Sequence, residues 1–314
     1  MSTRITRLAP SPTGALHLGN ARTFLINWAM ARNNGWRLLM RIEDLDGPRV
    51  KAGAVRQALE MFSWLGIDFD GTALRQSDDL EPYRDAMRRL AGAGLIFACN
   101  VTRKEIRQAA SAPHGEEQEI RFHAELRPTS PDVFRFDGEE TNYRLLTPDE
   151  TVLIEDGFAG RTLHCPHREV GDFVIWTRRG VPAYQLAVVV DDARQGVTDV
   201  VRGDDLLPSA ARQSLIYRAL GCEPPGFWHL PLVIGEDGKR LAKRHGDTRL
   251  ERYRAEGVSP QRVIGLLAHW CGLCNDRQQW TAEDFRSAFS LDSVPRTPVT
   301  FTEEDHRWLT AGRC

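Results

Sequence analysis

The chain has 314 residues, of which 41% are hydrophobic and 27% are charged, and its formal net charge is −2. This composition is typical of a globular protein with two domains, or with one large α/β domain and an insertion. No apolar run is long enough for a membrane span or a signal peptide, and the net charge offers no general attraction for nucleic acid, so we expect a cytoplasmic protein with no membrane partner.

The first part of the chain alternates between helix and strand patterns. After a loop rich in Pro and Gly (residues 9–20, APSPTGALHLGN), apolar residues such as Leu25 and Trp28 recur at helical spacing, and Asn34 and Gly35 end the predicted helix. Residues 36–42 (WRLLMRI) predict a short buried strand that leads into the acidic sequence EDLD. A second helix is predicted over residues 51–65. This order predicts a parallel sheet flanked by helices.

The pattern changes over residues 97–170, where polar stretches that contain proline separate short strand-like pieces such as NYRLL and TVLIEDGF. We predict an inserted β-rich segment here. The parallel pattern resumes at residues 183–192 (AYQLAVVVDD), a continuous apolar run that predicts a fully buried strand. The sequence GVTDVVRGDDLL (residues 196–207) follows, and then a predicted helix through Leu215 and Leu220.

The opening loop has the features of a phosphate-binding turn. A loop that leads into a helix presents unpaired backbone N–H groups and the positive end of the helix dipole, which attract phosphate. Gly14 and Gly19 allow the backbone to approach a ligand closely, and His17 adds a side-chain donor. The same residues also fit an ordinary capping turn with a hydrogen-bonded histidine, and the loop alone does not decide between the two.

A second candidate site is the basic, glycine-flanked loop at residues 237–247 (DGKRLAKRHGD). Its cations suit a triphosphate, and they are Lys239, Arg240, Lys243 and Arg244. An isolated basic run is more often a solvated turn. The presence of both loops in one α/β chain favours the nucleotide interpretation.

Five motifs in co-linear order over residues 7–272 resemble those of class I aminoacyl-tRNA synthetases of the glutamyl branch. RLAPSPTGALHLGN resembles the HIGH element of that branch, MRIEDLD its strand-end carboxylate, and RLAKRHGD its KMSKS loop. VPAYQLAVVVDD and GVTDVVRGDDLL lie between them in the same order. The resemblance implies a fold of the α/β class, with a Rossmann-like, parallel-sheet catalytic domain, the inserted β-rich segment and a short helical C-terminal tail.

The resemblance also implies a domain division and an acceptor. The catalytic domain would comprise residues 1–96 and 171–250, the insertion would resemble an acceptor-binding segment at residues 97–170, and residues 251–314 would form a short helical region. Because this last region cannot form the large anticodon-binding domain of glutamyl-tRNA synthetases, the chain is most similar to glutamyl-queuosine tRNA(Asp) synthetases. These truncated paralogues activate L-glutamate with ATP and attach it to queuosine in the anticodon of tRNA(Asp). We expect a monomer.

Two alternatives remain open at this point. A truncated glutamyl-tRNA synthetase would charge a tRNA 3′ end with the same activation site. A non-catalytic paralogue would only bind RNA, but the presence of Arg7, His17, Glu43 and Lys243 argues against it, because a binding protein need not keep the activation chemistry.

The resemblance assigns residues to glutamate binding. Arg7 and Arg202 would clamp the γ-carboxylate, since a planar guanidinium suits bidentate capture of a carboxylate. Glu43 would hold the substrate ammonium at the end of its strand, and Tyr184 would offer a hydroxyl. The segment that follows Arg7 would line the same site, with Leu8, Ala9, Pro10 and Ser11.

The resemblance also assigns the ATP site and its chemistry. His17, with Gly19 and Asn20, would bind the phosphates while the α-phosphorus is attacked. Lys243 would neutralise charge on the departing pyrophosphate, and preorganised electrostatics of this kind usually dominates phosphoryl transfer. Mg²⁺ is implied by the triphosphate rather than by a protein cage. The KMSKS serine is Ala242 here, so one hydroxyl is missing.

Cysteine placement predicts no metal. Many relatives bind zinc in the insertion through a CxC pair, but Val101 replaces the second thiolate after Cys99, so zinc is not expected. We expect aromatic packing to stabilise the insertion instead, through Phe122, Phe134 and Phe136. Cys271 and Cys274 form a single CxxC in an apolar helical pattern, which favours core packing over metal binding.

Overall fold

The computed structural model describes residues 3–12, 16–47, 50, 53–102, 121–129, 135–136, 140–239, 241 and 247–311. The strands are, in chain order, β1 (Ile5–Leu8), β2 (Arg37–Ile42), β3 (Leu74–Arg75), β4 (Ile96–Ala98), β5 (Tyr143–Leu145), β6 (Val152–Asp156), β7 (Gly160–His164), β8 (Val174–Thr177), β9 (Val181–Pro182), β10 (Asp199–Gly203), β11 (Gly226–Leu230), β12 (Val233–Ile234) and β13 (Val299–Thr300). The helices are α1 (Leu18–Asn33), α2 (Ala54–Leu65), α3 (Glu81–Gly92), α4 (Pro166–Glu169), α5 (Tyr184–Arg194), α6 (Leu207–Ala219), α7 (Leu250–Ala255), α8 (Pro260–Trp270), α9 (Ala282–Ala288) and α10 (Glu303–Thr310).

A parallel layer forms the centre of the fold. Strands β1, β2 and β3 pair in parallel in that order, and β10 pairs in parallel with β11. The Thr198 N–H donates to the Ile5 carbonyl at 2.8 Å, so β10 begins beside β1 on the side away from β2. The chain therefore continues from β1 to β2 on one side of β1, and it later returns to β10 on the other side. The carboxyl ends of such neighbouring strands border a crevice that can bind a ligand. The predicted parallel sheet is confirmed.

The first two predicted helices are confirmed with small changes at their ends. Helix α1 ends at Asn33, and Gly35 has a φ of 64°, which suits a glycine after a helix. Helix α2 ends at Leu65 as expected, but it begins at Ala54 after Gly53, whose φ is 80°.

The prediction of a buried strand at residues 183–192 is wrong, because these residues form most of helix α5. Residues 185–192 are all buried, so the helix lies inside the protein and shows no polar face. An apolar run of this length fits a buried helix as well as a buried strand, and burial on every side overrides the β propensity of three consecutive valines. The strand of this region is β10, in the following segment.

The inserted region contains β structure, as predicted. Strands β6 and β7 form an antiparallel hairpin, and β4 and β5 belong to an antiparallel sheet that continues beyond residue 170 with β8 and β9, in the order β4, β5, β8, β9. The hairpin turn contacts the parallel layer, since the Gly157 N–H donates to the Phe227 carbonyl at 2.8 Å. A Cβ at Gly157 would lie 2.5 Å from the Trp228 ring, so only glycine fits this contact.

Aromatic packing stabilises the described part of the insertion. Phe122 is buried with Phe97 and Cys99, and Val101 packs against this cluster. Phe136 contacts the Tyr143 and Trp176 rings edge to face, whereas Phe134 lies outside the described residues. Over the described ranges, no three His, Cys, Asp or Glu side chains lie close enough together to hold a metal ion.

The C-terminal helices share the core of the parallel layer. Cys271 at the end of α8 is fully buried and Cys274 is half-buried, and both pack with α1 side chains in one apolar cluster. The buried Arg22 of α1 donates to the Pro231 carbonyl at 2.8 Å and to the Trp270 carbonyl at 3.4 Å. These contacts attach the predicted C-terminal region to the parallel layer. None of the helices described is both long and apolar enough to cross a membrane.

Candidate active site

A cavity of about 530 Å³ lies where β1, β2 and β10 end and α1 begins. The strand order predicts a crevice at this position, because β2 lies on one side of β1 and β10 lies on the other. The cavity is lined by ten of the residues assigned from the sequence, namely Arg7, Ala9, Pro10, Ser11, His17, Gly19, Asn20, Glu43, Tyr184 and Arg202.

Two of the assigned residues are not among these ten. Leu8 does not line the cavity, because its side chain is fully buried in the apolar core beneath β1. The assignment of Leu8 to glutamate binding stays a prediction. Lys243 and Ala242 lie outside the described residues, and so does Gly14 of the opening loop.

Buried charges form one wall of the cavity. The Arg7 Nε lies 3.2 Å from Asp192 Oδ1, and the Arg41 Nη1 lies 2.6 Å from the same oxygen. Arg41 Nη2 also donates to Glu43 Oε1 at 3.3 Å. Burial tends to raise the pKa of Asp192, but Arg41 and Arg7 outweigh it and hold that pKa below its usual range. Arg7 is therefore fixed by a carboxylate that it shares with a second arginine.

Arg202 has a different environment. Its Nε donates to His229 Nε2 at 2.9 Å, its Nη1 donates to Gln213 Oε1 at 2.8 Å, and its Nη2 lies 3.4 Å from the Leu206 carbonyl oxygen. None of these three acceptors carries a negative charge. Burial, together with the nearby Arg7, lowers the pKa of Arg202, although Tyr184 and Asp192 oppose the shift. A buried cation with uncharged partners favours the binding of an anion.

Glu43 lies in the same cavity, directly after β2, and its side chain is mostly buried. Its backbone N–H donates to the Pro10 carbonyl at 3.1 Å, which links the end of β2 to the loop after β1. Burial raises the pKa of Glu43, while Arg41 and Arg7 oppose that rise. A ligand ammonium beside Glu43 would favour its ionised form. The cavity thus combines a site for an anion with a site for a cation.

The N-terminus of α1 forms the opposite wall. His17 is the N-cap residue, and its Nδ1 accepts from the Asn20 N–H at 3.4 Å. A Cβ at Gly19 would lie 3.1 Å from the His17 ring, so glycine lets the ring lie close to the backbone. Because Nδ1 accepts, the ring proton resides on Nε2. Backbone N–H groups, the helix dipole and this ring together suit a phosphate.

Both described flanks of the basic segment are attached to this wall. The Leu241 N–H donates to the carbonyl of Val233, a cavity residue, at 3.1 Å. On the other side, the Leu18 N–H donates to the Thr248 carbonyl at 3.2 Å, and Arg249 forms a β-bridge with His17. The described flanks of the two candidate loops therefore lie close to the start of α1.

The sequence did not identify the residues that fix the two cavity arginines. Asp192 ends the VVVDD run and Arg41 lies in MRIEDLD, so both were visible in motifs but had no assigned role. His229 and Gln213 had no signal of their own, because their contacts with Arg202 join residues that are far apart in the chain.

Sequence comparison gives relatives over nearly the whole chain. Residues 4–308 match the family of tRNA synthetases class I (E and Q), catalytic domain. A glutamyl-Q tRNA(Asp) synthetase from Symbiobacterium thermophilum is 43% identical over 98% of this chain and 98% of its own length. One from Rhodopirellula baltica is 44% identical over 88% of this chain and 87% of its own length. Glutamate–tRNA ligase 1 from Methylorubrum extorquens is 39% identical over 95% of this chain but over 62% of its own length.

Structural comparison agrees. The crystal structure of a glutamate-tRNA synthetase from Elizabethkingia anophelis has a TM-score of 0.80 and 26% identity, and the match covers 98% of this chain and 70% of that one. A glutamate tRNA ligase from Elizabethkingia meningosepticum, in complex with its amino acid, also has a TM-score of 0.80 and 26% identity, with 98% and 69% covered.

The resemblance inferred from the five motifs is confirmed by these matches. The relatives are synthetases and ligases, and the parallel layer with its cavity is the catalytic domain of such an enzyme. The chain belongs to the class I aminoacyl-tRNA synthetases of the glutamate and glutamine branch.

Proposed function

We propose that the protein activates L-glutamate with ATP to form glutamyl-adenylate and then transfers the glutamate to the queuosine base in the anticodon of tRNA(Asp). The names of two relatives that are 43% and 44% identical support this assignment. Glutamate–tRNA ligase activity at a tRNA 3′ end is the second candidate, because ligases of that name reach 39% identity.

The observation that carries the choice of amino acid is the pair of buried arginines in one cavity. Arg7 and Arg202 both line it, and Arg202 has only uncharged acceptors among the contacts described above. A side-chain carboxylate between the two guanidinium groups would give Arg202 an anionic hydrogen-bond partner. Glu43 would bind the substrate ammonium, and Tyr184 would contact the same amino acid. Glutamine, which lacks the negative charge, should therefore bind poorly.

We propose that activation uses both walls of the cavity. The α-carboxylate oxygen of glutamate attacks the α-phosphorus of ATP, the bond from that phosphorus to the bridging oxygen breaks, and pyrophosphate leaves with the electron pair. His17 would donate from Nε2 to the phosphates, and the N–H groups near Gly19 and Asn20 would add to this field. Lys243 is proposed to stabilise the departing pyrophosphate, since the described flanks of its segment reach the same wall.

Mg²⁺ would accompany the triphosphate and help to neutralise its charge. The described residues hold no cluster of three carboxylate, His or Cys side chains. We expect the ion to be bound chiefly through the phosphate oxygens.

In the second step, a hydroxyl oxygen of the acceptor attacks the carbonyl carbon of glutamyl-adenylate. The bond from that carbon to the phosphate oxygen breaks, AMP leaves, and the hydroxyl proton is lost to solvent or to the phosphate. The cyclopentene ring of queuosine carries hydroxyl groups that could fill this role. A 3′-terminal ribose offers the same chemistry, so the choice of acceptor has to be tested directly.

The test is to incubate the protein with ATP, labelled glutamate and bulk tRNA from strains that do or do not make queuosine. We expect labelled tRNA only when queuosine is present, and we expect the label to survive removal of the 3′-terminal adenosine. Loss of the label with that adenosine would favour the 3′-end ligase instead. Absence of glutamate-dependent exchange between ATP and pyrophosphate would contradict both and favour a protein that only binds RNA.

A further inference from the structure

A chain of three buried side chains leads from the β6–β7 hairpin to the cavity. Asp156 Oδ2 lies 2.6 Å from His229 Nδ1, and His229 Nε2 accepts from Arg202 Nε at 2.9 Å. His229 is fully buried, and Asp156 and Arg202 are each more than nine-tenths buried. The three residues come from β6, β11 and β10, so this chain of side chains forms only when the hairpin packs against the parallel layer.

The chemistry of the end groups fixes the protonation of the middle one. The Arg202 Nε–H can only donate, so His229 Nε2 must present a lone pair. The Asp156 carboxylate can only accept, so His229 Nδ1 must carry the proton. His229 is therefore the neutral tautomer with the proton on Nδ1. Burial, together with Arg202, lowers the pKa of His229, which agrees with a neutral ring.

Asp156 is itself held firmly. Its Oδ1 accepts the backbone N–H groups of Phe158 at 2.9 Å and Ala159 at 2.7 Å, which lie in the hairpin turn, and that of His229 at 3.1 Å. These bonds leave the carboxylate little freedom to rotate. The His229 ring stacks on Phe227 at a centroid distance of 5.9 Å, and the Arg202 guanidinium lies 5.2 Å from the same Phe227 ring.

We propose that Asp156 and His229 are positioning residues that set the orientation of the Arg202 guanidinium toward the side-chain carboxylate of the substrate. This inference rests on the proposed glutamate site. With Nε held by His229 and one Nη1 proton held by Gln213, the guanidinium plane is fixed by its two bonded edges. Its Nη2 makes a long contact of 3.4 Å with the Leu206 carbonyl, and Arg202 also has a side-chain hydrogen bond with Tyr184, so a carboxylate can approach only along the N–H directions that remain in that plane. The hairpin of the predicted insertion thereby contributes to amino-acid recognition.

Two amide substitutions at one position test the inference. In His229→Gln, the side-chain oxygen can replace Nε2 and accept from Arg202. In His229→Asn, the shorter amide can replace only the Nδ1 side, so the bond to Asp156 can remain while the acceptor for Arg202 is lost. We expect His229→Asn to raise the KM for glutamate about 10- to 100-fold in ATP–pyrophosphate exchange, since a bond to a charged group is removed. We expect His229→Gln to stay within about fivefold of the wild type.

A matched pair on the hairpin tests Asp156. Asp156→Asn can turn its amide nitrogen toward His229 and so favour the tautomer with the proton on Nε2, which would oppose the Arg202 donor. Glu155→Gln makes the same chemical change one residue earlier, on an exposed side chain that pairs with Arg161 at 2.6 Å. We expect Asp156→Asn to raise the KM for glutamate, with a much smaller change in kcat or in the KM for ATP. Glu155→Gln should leave all three unchanged.

Spectra of wild-type protein labelled with ¹⁵N-histidine add a measurement of the protonation of the ring itself. We expect one buried histidine with a protonated Nδ1 and an unprotonated Nε2, assigned by its absence in His229→Gln. A charged ring, or a proton on Nε2, would overturn the inference. Equal losses in kcat and in both KM values for His229→Gln and His229→Asn would also overturn it, because they indicate a purely structural role. If the wild type shows no glutamate-dependent exchange, the proposed function is refuted. Normal exchange in the wild type, with unchanged KM values in the variants, refutes only the positioning role.

Discussion

The side chains and backbone groups on the two walls of the cavity are held in place by different kinds of interaction. On the amino-acid wall, Arg7 and Arg202 are buried and each is held by side chains that come from distant parts of the chain. On the nucleotide wall, the α1 N-terminus offers backbone N–H groups and His17, and its partners lie in the backbone that flanks the basic segment. Buried side-chain networks can discriminate one amino acid from another, because an unpaired charge there is costly. A helix N-terminus attracts any phosphate.

This contrast predicts that changes on the first wall alter glutamate recognition and that changes on the second alter the rate of adenylate formation. Three of the four predictions below test that division and one tests the protonation of His229, and they run from the largest expected effect to the smallest.

Arg202→Ala should lower kcat/KM for glutamate by about 10²–10³, since it removes one partner of a buried charged contact in the bound state. Most of this loss should be in KM. The KM for ATP should change little, because Arg202 is held on the amino-acid wall. Steady-state ATP–pyrophosphate exchange measures both constants. A comparable rise in the KM for ATP would contradict the division between the walls.

Lys243→Ala should lower kcat for activation by about 10²–10³ and leave glutamate binding nearly intact, because the lysine would act on charge that develops in the transition state. Single-turnover formation of glutamyl-adenylate measures this step separately from binding. Lys239→Ala is the control, since Lys239 is an exposed cation of the same basic loop. Equal effects of the two substitutions would indicate a general electrostatic attraction rather than a specific role for Lys243.

The sequence predicted the residues that face the cavity better than the residues that hold them. Arg7, His17, Glu43 and Arg202 lie in motifs at strand ends or at the start of a helix. In a parallel sheet such positions lie along the edge where ligands bind. Asp156 and His229 are 73 positions apart, so nothing local to either residue indicates their contact. It depends on how the hairpin packs.

The failed prediction at α5 has a related cause. Periodicity distinguishes helix from strand only when one face is polar, and residues 185–192 of α5 are all buried. The same burial makes Asp192 important, because α5 carries that carboxylate to Arg7 and Arg41 inside the protein. The misassigned segment therefore supplies the carboxylate that fixes the first arginine of the site.

The third prediction concerns pH. The pKa of His229 lies below its ordinary value of 6.5, chiefly because of burial and also because of Arg202, so the folded protein keeps this ring neutral where an unfolded chain would protonate it. The unfolded state then binds more protons, and stability falls as pH falls below about 6.5, by about 1.4 kcal/mol per pH unit, until the folded-state pKa is reached. The groups that face the ring are Asp156 from β6 and Arg202 from β10.

Urea unfolding at about pH 7 and at about pH 5.5 measures this effect, with His229→Gln as the reference, because glutamine does not titrate. The free energy of unfolding of the wild type should fall relative to that of the variant as the pH is lowered. A constant difference between the two proteins would mean that His229 has the same pKa in the folded and unfolded states.

The smallest effect is expected for Gly19→Ala on the nucleotide wall. The new Cβ would lie 3.1 Å from His17 Cε1 and 3.2 Å from Nδ1, which is closer than ordinary contact, so the ring must move by a few tenths of an ångström. The bond that Nδ1 accepts from Asn20 is already long at 3.4 Å and would weaken. Alanine also favours the helix over glycine by up to about 1 kcal/mol. We therefore expect equal or greater thermal stability together with a kcat lowered about three- to tenfold, since a slightly misplaced donor loses part of its transition-state stabilisation.

Gly92→Ala is the matched control for this last substitution. Gly92 is the last residue of α3, and a Cβ there would meet nothing within 4 Å. It should change the stability in the same direction or not at all, and it should leave kcat unchanged. If Gly19→Ala displaces the His17 ring and still keeps the wild-type kcat, the position of the ring does not control adenylate formation. The nucleotide wall would then act through its backbone N–H groups and its cations alone, which would make the contrast with the side-chain network of the amino-acid wall sharper still.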